Sequence, residues 1–215
     1  NIVGAGFAPD LVLPFKGVNF VGGSVWHTTD WAGDFSGPFD AVNNVAGRIQ
    51  AMQADGFQVG ISGWVNTAGD TYYALCLKDQ ANVFTTLQYV GDGADNRSIA
   101  GAGFAPDGCW TKGFSIAGQA YERFKDEVGD DSMGMNAAAV YTDRIQAMQA
   151  DGFQVGTAAE VNQAAITYNA AVWKEYTGAY KAWPLHKSGR LYVKMNADKA
   201  WPLLKSGRVS IKAVS

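Results

Sequence analysis

RIQAMQADGFQVG, residues 48–60, recurs without a single change at residues 144–156. An exact match of this length between stretches that otherwise differ is far beyond chance, so the two copies indicate one duplicated unit. Inside the string, Asp-Gly is typical of a tight turn, and the Phe and Val after it point to one face of the following strand. Both copies therefore predict a β-hairpin, although the spacing of Ile49 and Met52 also fits a helix.

The duplication extends well beyond this string. IVGAGFAPD at residues 2–10 returns as IAGAGFAPD at 99–107, and TYYALCLKD at 71–79 returns as TYNAAVWKE at 167–175. A period near 96 residues is too long for a solenoid repeat and indicates tandem domains.

The predicted fold class is all-β. Gly is abundant at 26 residues and charged residues make up only 17% of the chain, which suits a β protein with many tight turns. We predict two tandem antiparallel β-sandwich repeats, residues 1–88 and 89–176, followed by a basic C-terminal arm, residues 177–215.

Charge and hydropathy bear on the partners of the chain. A net charge of -3 and a pI near 5.3 give no global field that would attract nucleic acid. No apolar run in the sequence approaches the length that spans a bilayer. We therefore predict a soluble chain with no nucleic-acid partner and no membrane partner.

Three segments carry further predictions about the repeats. Residues 91–96, GDGADN, form a predicted turn that opens the second repeat. The first repeat has no equivalent lead-in, so its first strand is missing or is supplied by another segment or chain. Residues 119–128 predict a short helix that ends at Gly129. Residues 71–77 predict a strand with apolar residues on both faces, which places it in the middle of a sheet or between layers.

Few residues suggest catalysis or metal binding. His27 and His186 lie in unrelated contexts, without a catalytic or metal-binding motif around either. The four acidic residues between positions 126 and 131 lack the ligand order of an EF-hand. A solvated acidic loop is the main interpretation, with a calcium site or a glycosidase carboxylate pair as alternatives. We predict no catalytic residue, no metal ligand and no cofactor.

The cysteines and the aromatic residues each leave two interpretations open. Cys76 and Cys109 have no cysteine at the equivalent repeat positions, which excludes a duplicated disulfide framework. They are either plain core residues or a single bridge. A further set of aromatic residues is either sandwich core or a sugar-stacking face: Trp26, Trp31, Trp64, Trp110, Tyr72, Tyr73 and Tyr121.

The C-terminal arm contains a shorter repeat of its own. KAWPLHKSGR at residues 181–190 recurs as KAWPLLKSGR at 199–208, and each copy leads into a short alternating strand. Eight of the 17 basic residues lie in residues 181–215, against one acid. We predict two hairpin-like steps that contact a neighbouring subunit. The candidate interface residues are Trp183, Pro184, Arg190, Trp201, Pro202 and Arg208.

The order of the larger motifs is the same in both repeats. The motifs occupy residues 2–10, 55–60 and 66–78, and again residues 99–107, 151–156 and 162–174. In this order they resemble a domain family of tailed-bacteriophage virion proteins, many of them tail-fibre or other structural proteins with a concanavalin-like β-sandwich. The resemblance covers residues 1–176 and implies a virion role without catalytic residues.

The expected function is therefore that of a non-enzymatic bacteriophage virion structural protein. We expect a capsid decoration or cement subunit that forms a homo-oligomer and contacts other virion proteins. A tail or tail-fibre component is one alternative, and a carbohydrate-binding module that attaches to a host glycan is another. A glycoside hydrolase using Glu127 and Asp131 is the third.

Overall fold

The structure is a computed structural model that describes residues 1–16, 24–31, 33–136, 139–175, 203–205 and 208–210. It contains two compact units, Asn1–Lys174 and Glu175–Ser215. Strands dominate the described residues, in which the one α-helix is the single turn α1 (Ala159–Asn162). The predicted all-β class is therefore confirmed. In the described part of the chain, no helix has the length and apolar character needed to cross a membrane.

The first half of the larger unit contains two antiparallel sheets. Its strands are β1 (Ile2–Val3), β2 (Leu11–Lys16), β3 (Val25–Thr28), β4 (Phe35–Pro38), β5 (Val45–Ala46), β6 (Ile49–Gln53), β7 (Gly56–Val59) and β8 (Tyr72–Leu77). The smaller sheet has the order β1-β7-β6, and the larger has the order β5-β4-β3-β2-β8. β8 is therefore at one edge of the five-stranded sheet.

The second half repeats this arrangement with one strand more. Its strands are β9 (Phe84–Val90), β10 (Arg97–Ala100), β11 (Gly108–Gly113), β12 (Tyr121–Phe124), β13 (Ser132–Gly134), β14 (Val140–Tyr141), β15 (Ile145–Gln149), β16 (Gly152–Val155) and β17 (Thr167–Trp173). The sheet orders are β10-β16-β15 and β14-β13-β12-β11-β17-β9. Strands β10 to β17 thus match β1 to β8 one by one, and β9 is the additional strand.

The predicted boundary between residues 88 and 89 falls inside β9, all of which pairs with β17. The division of the chain into two domains stays a prediction. In the second compact unit, β18 (Leu203–Lys205) and β19 (Arg208–Ser210) form an antiparallel pair.

Two of the repeated motifs, the glycine loop and the Asp-Gly hairpin, bind each other in the folded chain. The Asp55 carboxylate accepts backbone N–H bonds from Gly4 at 3.2 Å and Gly6 at 2.5 Å. Asp151 accepts the same two bonds in the second half, at 3.2 and 2.6 Å. The predicted hairpins are confirmed as β6–β7 and β15–β16, so the Asp-Gly turn holds the glycine loop against one end of the small sheet.

Each half has a core cluster between its small and its large sheet. In the first half the buried members are Val12, Val25, Ile49, Phe57 and Val65. In the second half they are Tyr89, Ile99, Ala102, Phe104, Cys109, Tyr121, Ile145, Phe153, Val155, Val161, Tyr168, Ala170 and Val172. The second cluster is the larger of the two, and β9 contributes to it through Tyr89.

A third cluster joins the two large sheets. Its buried members are Leu11, Trp26 and Trp31 from the first half and Phe84 and Ala171 from the second. The rings of Trp26 and Trp110, one from each half, meet edge to face with centroids 5.8 Å apart. The two halves therefore share apolar packing within one compact unit.

One local prediction from the sequence is wrong, and one of the two positions expected for a strand is corrected. Residues 121–124, inside the predicted helix at 119–128, form β12, in which Tyr121 and Arg123 are buried on one face. The strand at residues 71–77 was expected either in the middle of a sheet or between layers. Among the described strands β8 lies at the edge of its sheet, which overturns the first alternative. Cys76 packs against one core cluster and Leu77 against another, which fits the second. The counterpart of β8, β17, does lie in the middle, between β11 and β9.

Candidate functional site

The predicted interface residues of the C-terminal arm cannot be located in the fold. Trp183, Pro184, Arg190, Trp201 and Pro202 lie outside the described residues, and of Arg208 the structure describes the backbone only, as the first residue of β19. His186 also lies outside the described residues. The arm interface stays a prediction.

His27 is a buried residue of the first half. Its Nδ1 lies 2.5 Å from the carbonyl oxygen of Phe35, and its ring meets Trp31 edge to face. Burial lowers its pKa, against the opposing effects of the Phe35 carbonyl and of Asp34. These contacts are those of a core histidine with one satisfied ring nitrogen.

The acidic stretch near residue 130 is organised by a buried arginine. The Arg123 guanidinium donates to the carbonyl oxygens of Glu127 at 2.9 Å, Gly129 at 2.8 Å and Asp131. The backbone therefore binds the cation, and the carboxylates at positions 126 to 131 are not gathered around a common point. Among the described residues, no group of three or more His, Cys, Asp or Glu side chains is placed to hold a metal ion.

The cysteines are not joined. Both thiols are free, so the alternative of a single bridge is wrong. Cys109 is fully buried in the second core cluster, and Cys76 is half-buried in β8. Burial raises the pKa of both thiols.

Most of the aromatic residues with a proposed sugar-stacking role are committed to other contacts. Trp26, Trp31 and Tyr121 are buried core residues. Trp64 stacks against the Arg48 guanidinium, whose central carbon lies 3.5 Å from the ring centroid. Of the seven, Tyr73 is the one strongly exposed ring, at 58%.

A groove lined mainly by apolar side chains lies beside β8. It has a volume of about 440 Å³ and an opening to solvent. Its lining comes from β1, the following glycine loop, β7 and β8: Ile2, Val3, Gly4, Ala5, Phe7, Gly56, Phe57, Ala74, Leu75 and Cys76. We call this feature the β8 groove.

The edge of β8 next to this groove has no partner strand among the described residues. Five residues in the middle of β17 are fully buried, whereas the matching part of β8 is exposed or half-buried. Leu75 is 43% exposed, but Ala171 at the same position of β17 is 0% exposed. Ile2 is 46% exposed, while its counterpart Ile99 is 4% exposed.

In the second half, β9 occupies the place of the β8 groove. Tyr89 is buried there and stacks on Tyr168, the counterpart of Tyr72. Leu87 packs against the same cluster beside Gly101, the counterpart of Gly4. The groove is therefore the space that a strand fills in the other half of the same chain.

The turn before β10 makes a second contact that has no counterpart among the described residues of the first half. Asn162 is fully buried: its side chain donates to the carbonyl of Ala94 at 2.7 Å and accepts from the backbone N–H of Asp92 and from Arg97. Asn66, at the same position in the first half, donates to the carbonyl of Gly60 at 2.9 Å and is otherwise exposed.

Charged pairs flank the groove without entering it. Lys16 and Asp70 form an ion pair of 2.6 Å beside Tyr72, and the hydrogen bond that Lys16 donates to the Asp70 carboxylate raises the pKa of Lys16. At the other end of β8, Lys78 lies 3.6 Å from Asp10. The middle of the strand presents only apolar side chains and the backbone.

The sequence contains a partial signal for the β8 groove. The GDGADN turn precedes the second repeat, and residues 1–90 contain no counterpart of it. The groove was missed because the lining residues of β8 and its neighbours are also ordinary core residues in their second-half copies. The useful signal was that, within residues 1–176, only the second repeat is preceded by such a lead-in.

Comparison with known proteins gives one match. A domain of unknown function (DUF7483) matches residues 79–182. The matched segment starts five residues before β9 and contains every strand from β9 to β17. No curated protein and no solved structure shows significant similarity to the chain.

Proposed function

We propose that this protein is a non-enzymatic structural protein of a bacteriophage virion and acts through protein–protein contacts. Within the virion, we propose that it is a capsid decoration or cement subunit. The virion setting rests on the motif order at residues 2–10, 55–60 and 66–78 and their second copies. The contact function rests on the open edge of β8 and the apolar groove beside it.

An unpaired strand edge next to an apolar surface favours association with another polypeptide. Native proteins usually protect such an edge with charges, proline or a covering segment. β8 carries no charge between Tyr72 and Leu77, and Tyr73 and Leu75 are exposed. Contiguous apolar surface of this kind typically marks an interaction site.

The proposal is tested on particles of the phage or prophage that encodes this chain. Washed and gradient-purified particles are analysed by quantitative mass spectrometry, and capsids and tails are then separated. We expect the chain at a fixed ratio to the major capsid protein and in the capsid fraction. A tail-only location would contradict the decoration role, and absence from washed particles would overturn the virion proposal as a whole.

A deletion of residues 181–215 tests the predicted contribution of the basic arm. We expect this truncated chain to be incorporated into particles less well than the full chain. Circular dichroism of the two purified chains provides the control, because the strands of the larger unit end at Trp173. Undiminished incorporation would contradict the predicted role of the arm and leave the β8 edge as the contact.

A further inference from the structure

We propose that the open edge of β8 is an acceptor for an extended segment of a partner polypeptide, which binds as β9 binds β17. This inference rests on the proposed function for the class of partner, a protein, and states how that partner is recognised. Strand addition of this type obtains affinity from main-chain hydrogen bonds and specificity from pockets for alternate side chains. The second half of the chain is a template for this complex, because β9 pairs there with β17, the counterpart of β8.

The register of that template transfers directly to the first half. β9 runs antiparallel to β17 with Tyr89 opposite Tyr168, Leu87 opposite Ala170 and Thr85 opposite Val172. The matching acceptor positions on β8 are Tyr72, Ala74 and Cys76. The partner segment therefore needs seven extended residues, the length of β9.

Side chains on the inner face of the partner strand enter the β8 groove. In the second half the position opposite Tyr168 holds a buried aromatic ring, and the position opposite Ala170 holds Leu87. The groove beside Ala74 has the same kind of lining and a volume of about 440 Å³. An aromatic and a branched aliphatic residue two positions apart fit this space.

Side chains on the outer face of the partner strand meet a surface that differs between the halves. β9 places Gln88 opposite Asn169, and the two side chains hydrogen-bond at 3.1 Å. The first half has Tyr73 at that position, stacked on Phe15 with ring centroids 5.9 Å apart. The partner of β8 therefore carries apolar residues on this face too, because cross-strand aromatic and β-branched pairs stabilise a sheet.

A second copy of β8 is the less suitable occupant. Paired edge to edge, another β8 would present Tyr72, Ala74 and Cys76 on the inner face. Ala74 and Cys76, in the middle of the strand, are smaller than Leu87 and would leave the part of the groove beside them unfilled. A segment with large apolar inner residues satisfies both the backbone edge and the groove.

The test uses the full-length chain and a synthetic peptide of its own residues 82–97, which contains β9 and the following turn. Hydrogen–deuterium exchange of β8 is measured with and without the peptide. We expect exchange at β8 to slow about ten-fold at a peptide concentration about ten times Kd. β17 and β9 serve as internal controls, because their strands are already in place, and should be unchanged.

Cys76 provides a second readout in the same sample. It lines the groove, whereas Cys109 is fully buried and should not react in the folded chain. We expect bound peptide to slow alkylation of Cys76 by about the same factor as β8 exchange, because both report the occupied fraction. A Cys109→Ala variant confirms that the measured thiol is Cys76.

Peptide variants separate strand addition from unspecific adsorption. Changing the peptide residues that correspond to Tyr89 and Leu87 to Asp should abolish both effects. Changing those that correspond to Thr86 and Gln88 to Val should strengthen binding several-fold, because they face Leu75 and Tyr73. Equal binding by the Asp variant, or no protection of β8 by any of the peptides, overturns the proposal.

Two further outcomes would also contradict binding of a partner segment at the β8 edge. Protection of β8 that appears without peptide and rises with protein concentration shows that a second copy closes the edge. Loss of protection at β9 shows that the peptide has displaced that strand. If the chain binds the peptide but is absent from virions, the proposed function is refuted and this inference stands. If the chain is found in virions but does not bind the peptide, only this inference is refuted.

Discussion

Tyr89 lies flat against Tyr168, with the ring centroids 5.1 Å apart and an angle of 15° between the ring planes. The Tyr89 hydroxyl donates to the carbonyl oxygen of Val161 at 2.8 Å and lies 3.2 Å from the hydroxyl oxygen of Thr111. Burial raises the pKa of Tyr168 to about 12. In the first half Tyr72 has the place of Tyr168, and no ring of the described residues stacks on it.

Removing this ring should therefore destabilise the second half strongly. We expect Tyr89→Ala to lower the free energy of unfolding by about 3–5 kcal/mol, because the ring leaves a cavity in the core. Tyr89→Phe, which keeps the ring and removes the hydroxyl, should cost about 1 kcal/mol. Urea denaturation followed by tryptophan fluorescence measures both. Equal costs for the two variants would show that the hydroxyl, and not the packed ring, is what matters.

Local patterns in the sequence were sufficient for the hairpins and insufficient for the sheet edges. The ADGFQVG string gives β6–β7 and β15–β16 in both halves because its turn and alternation are local. β8 and β17 have nearly the same apolar pattern, yet one is an edge strand and the other is central. The two strands differ because β9 pairs with β17, and the apolar pattern within a strand does not indicate which strands lie beside it.

The wrong helix at residues 119–128 has a different physical cause. Its residues are good helix formers, and Tyr121 and Arg123 alternate with more exposed neighbours as a strand requires. A buried arginine does not register as an inward-facing residue in a hydropathy pattern. Arg123 is buried because backbone carbonyls of the following loop accept hydrogen bonds from both terminal nitrogens of its guanidinium, and that loop closes only in the folded chain.

The aspartate of each hairpin turn should contribute equally to its own half. Asp151 accepts the N–H groups of Gly101 and Gly103, as Asp55 does for the matching glycines. We expect Asp151→Ala to cost about 1–3 kcal/mol, since two backbone donors lose a charged acceptor. Hydrogen exchange should quicken at Gly101 and Gly103 in this variant and at the matching first-half glycines in Asp55→Ala. Changes that spread evenly over both halves would contradict a local role.

The glycine after each turn aspartate should not tolerate a side chain. Gly152 has a φ of +141°, and a Cβ there would collide with the carbonyl oxygen of Ile99. We expect Gly152→Ala to cost at least about 3 kcal/mol, because left-handed backbone strain adds to a clash with main chain. Gly69→Ala is the matched control: its φ is +84° with no atom close to an added Cβ. Thermal denaturation should show a clearly smaller shift for the control.

Lys112 joins the two halves through a buried amine. It is fully buried, and its Nζ donates to the carbonyl oxygens of Asp40 at 3.1 Å and of Gly118. Burial lowers the pKa of Lys112 from 10.5 to about 8, against the opposing attraction of Asp40. The charged amine is therefore less favourable in the folded chain than in the unfolded chain.

The stability of the chain should consequently depend on pH through this lysine. Below pH 8 the amine is protonated in both states, and the folded state carries the full desolvation cost. Between pH 8 and 10.5 the unfolded state binds more protons than the folded state, so the contribution of Lys112 to stability rises with pH. Its slope is at most about 1.4 kcal/mol per pH unit.

Buried thiols act in the opposite direction over the same range. Burial raises the pKa of Cys76 and Cys109 above 9.0, so the unfolded chain loses their protons first and stability falls as pH rises. The measurement must therefore be the difference in unfolding free energy between the natural chain and Lys112→Met. We expect this difference to move in favour of the natural chain from pH 8 to 9.5, because only the lysine term separates the two proteins. A difference that stays constant with pH would show that Lys112 keeps its ordinary pKa in the folded chain and that its carbonyl contacts fully compensate its burial.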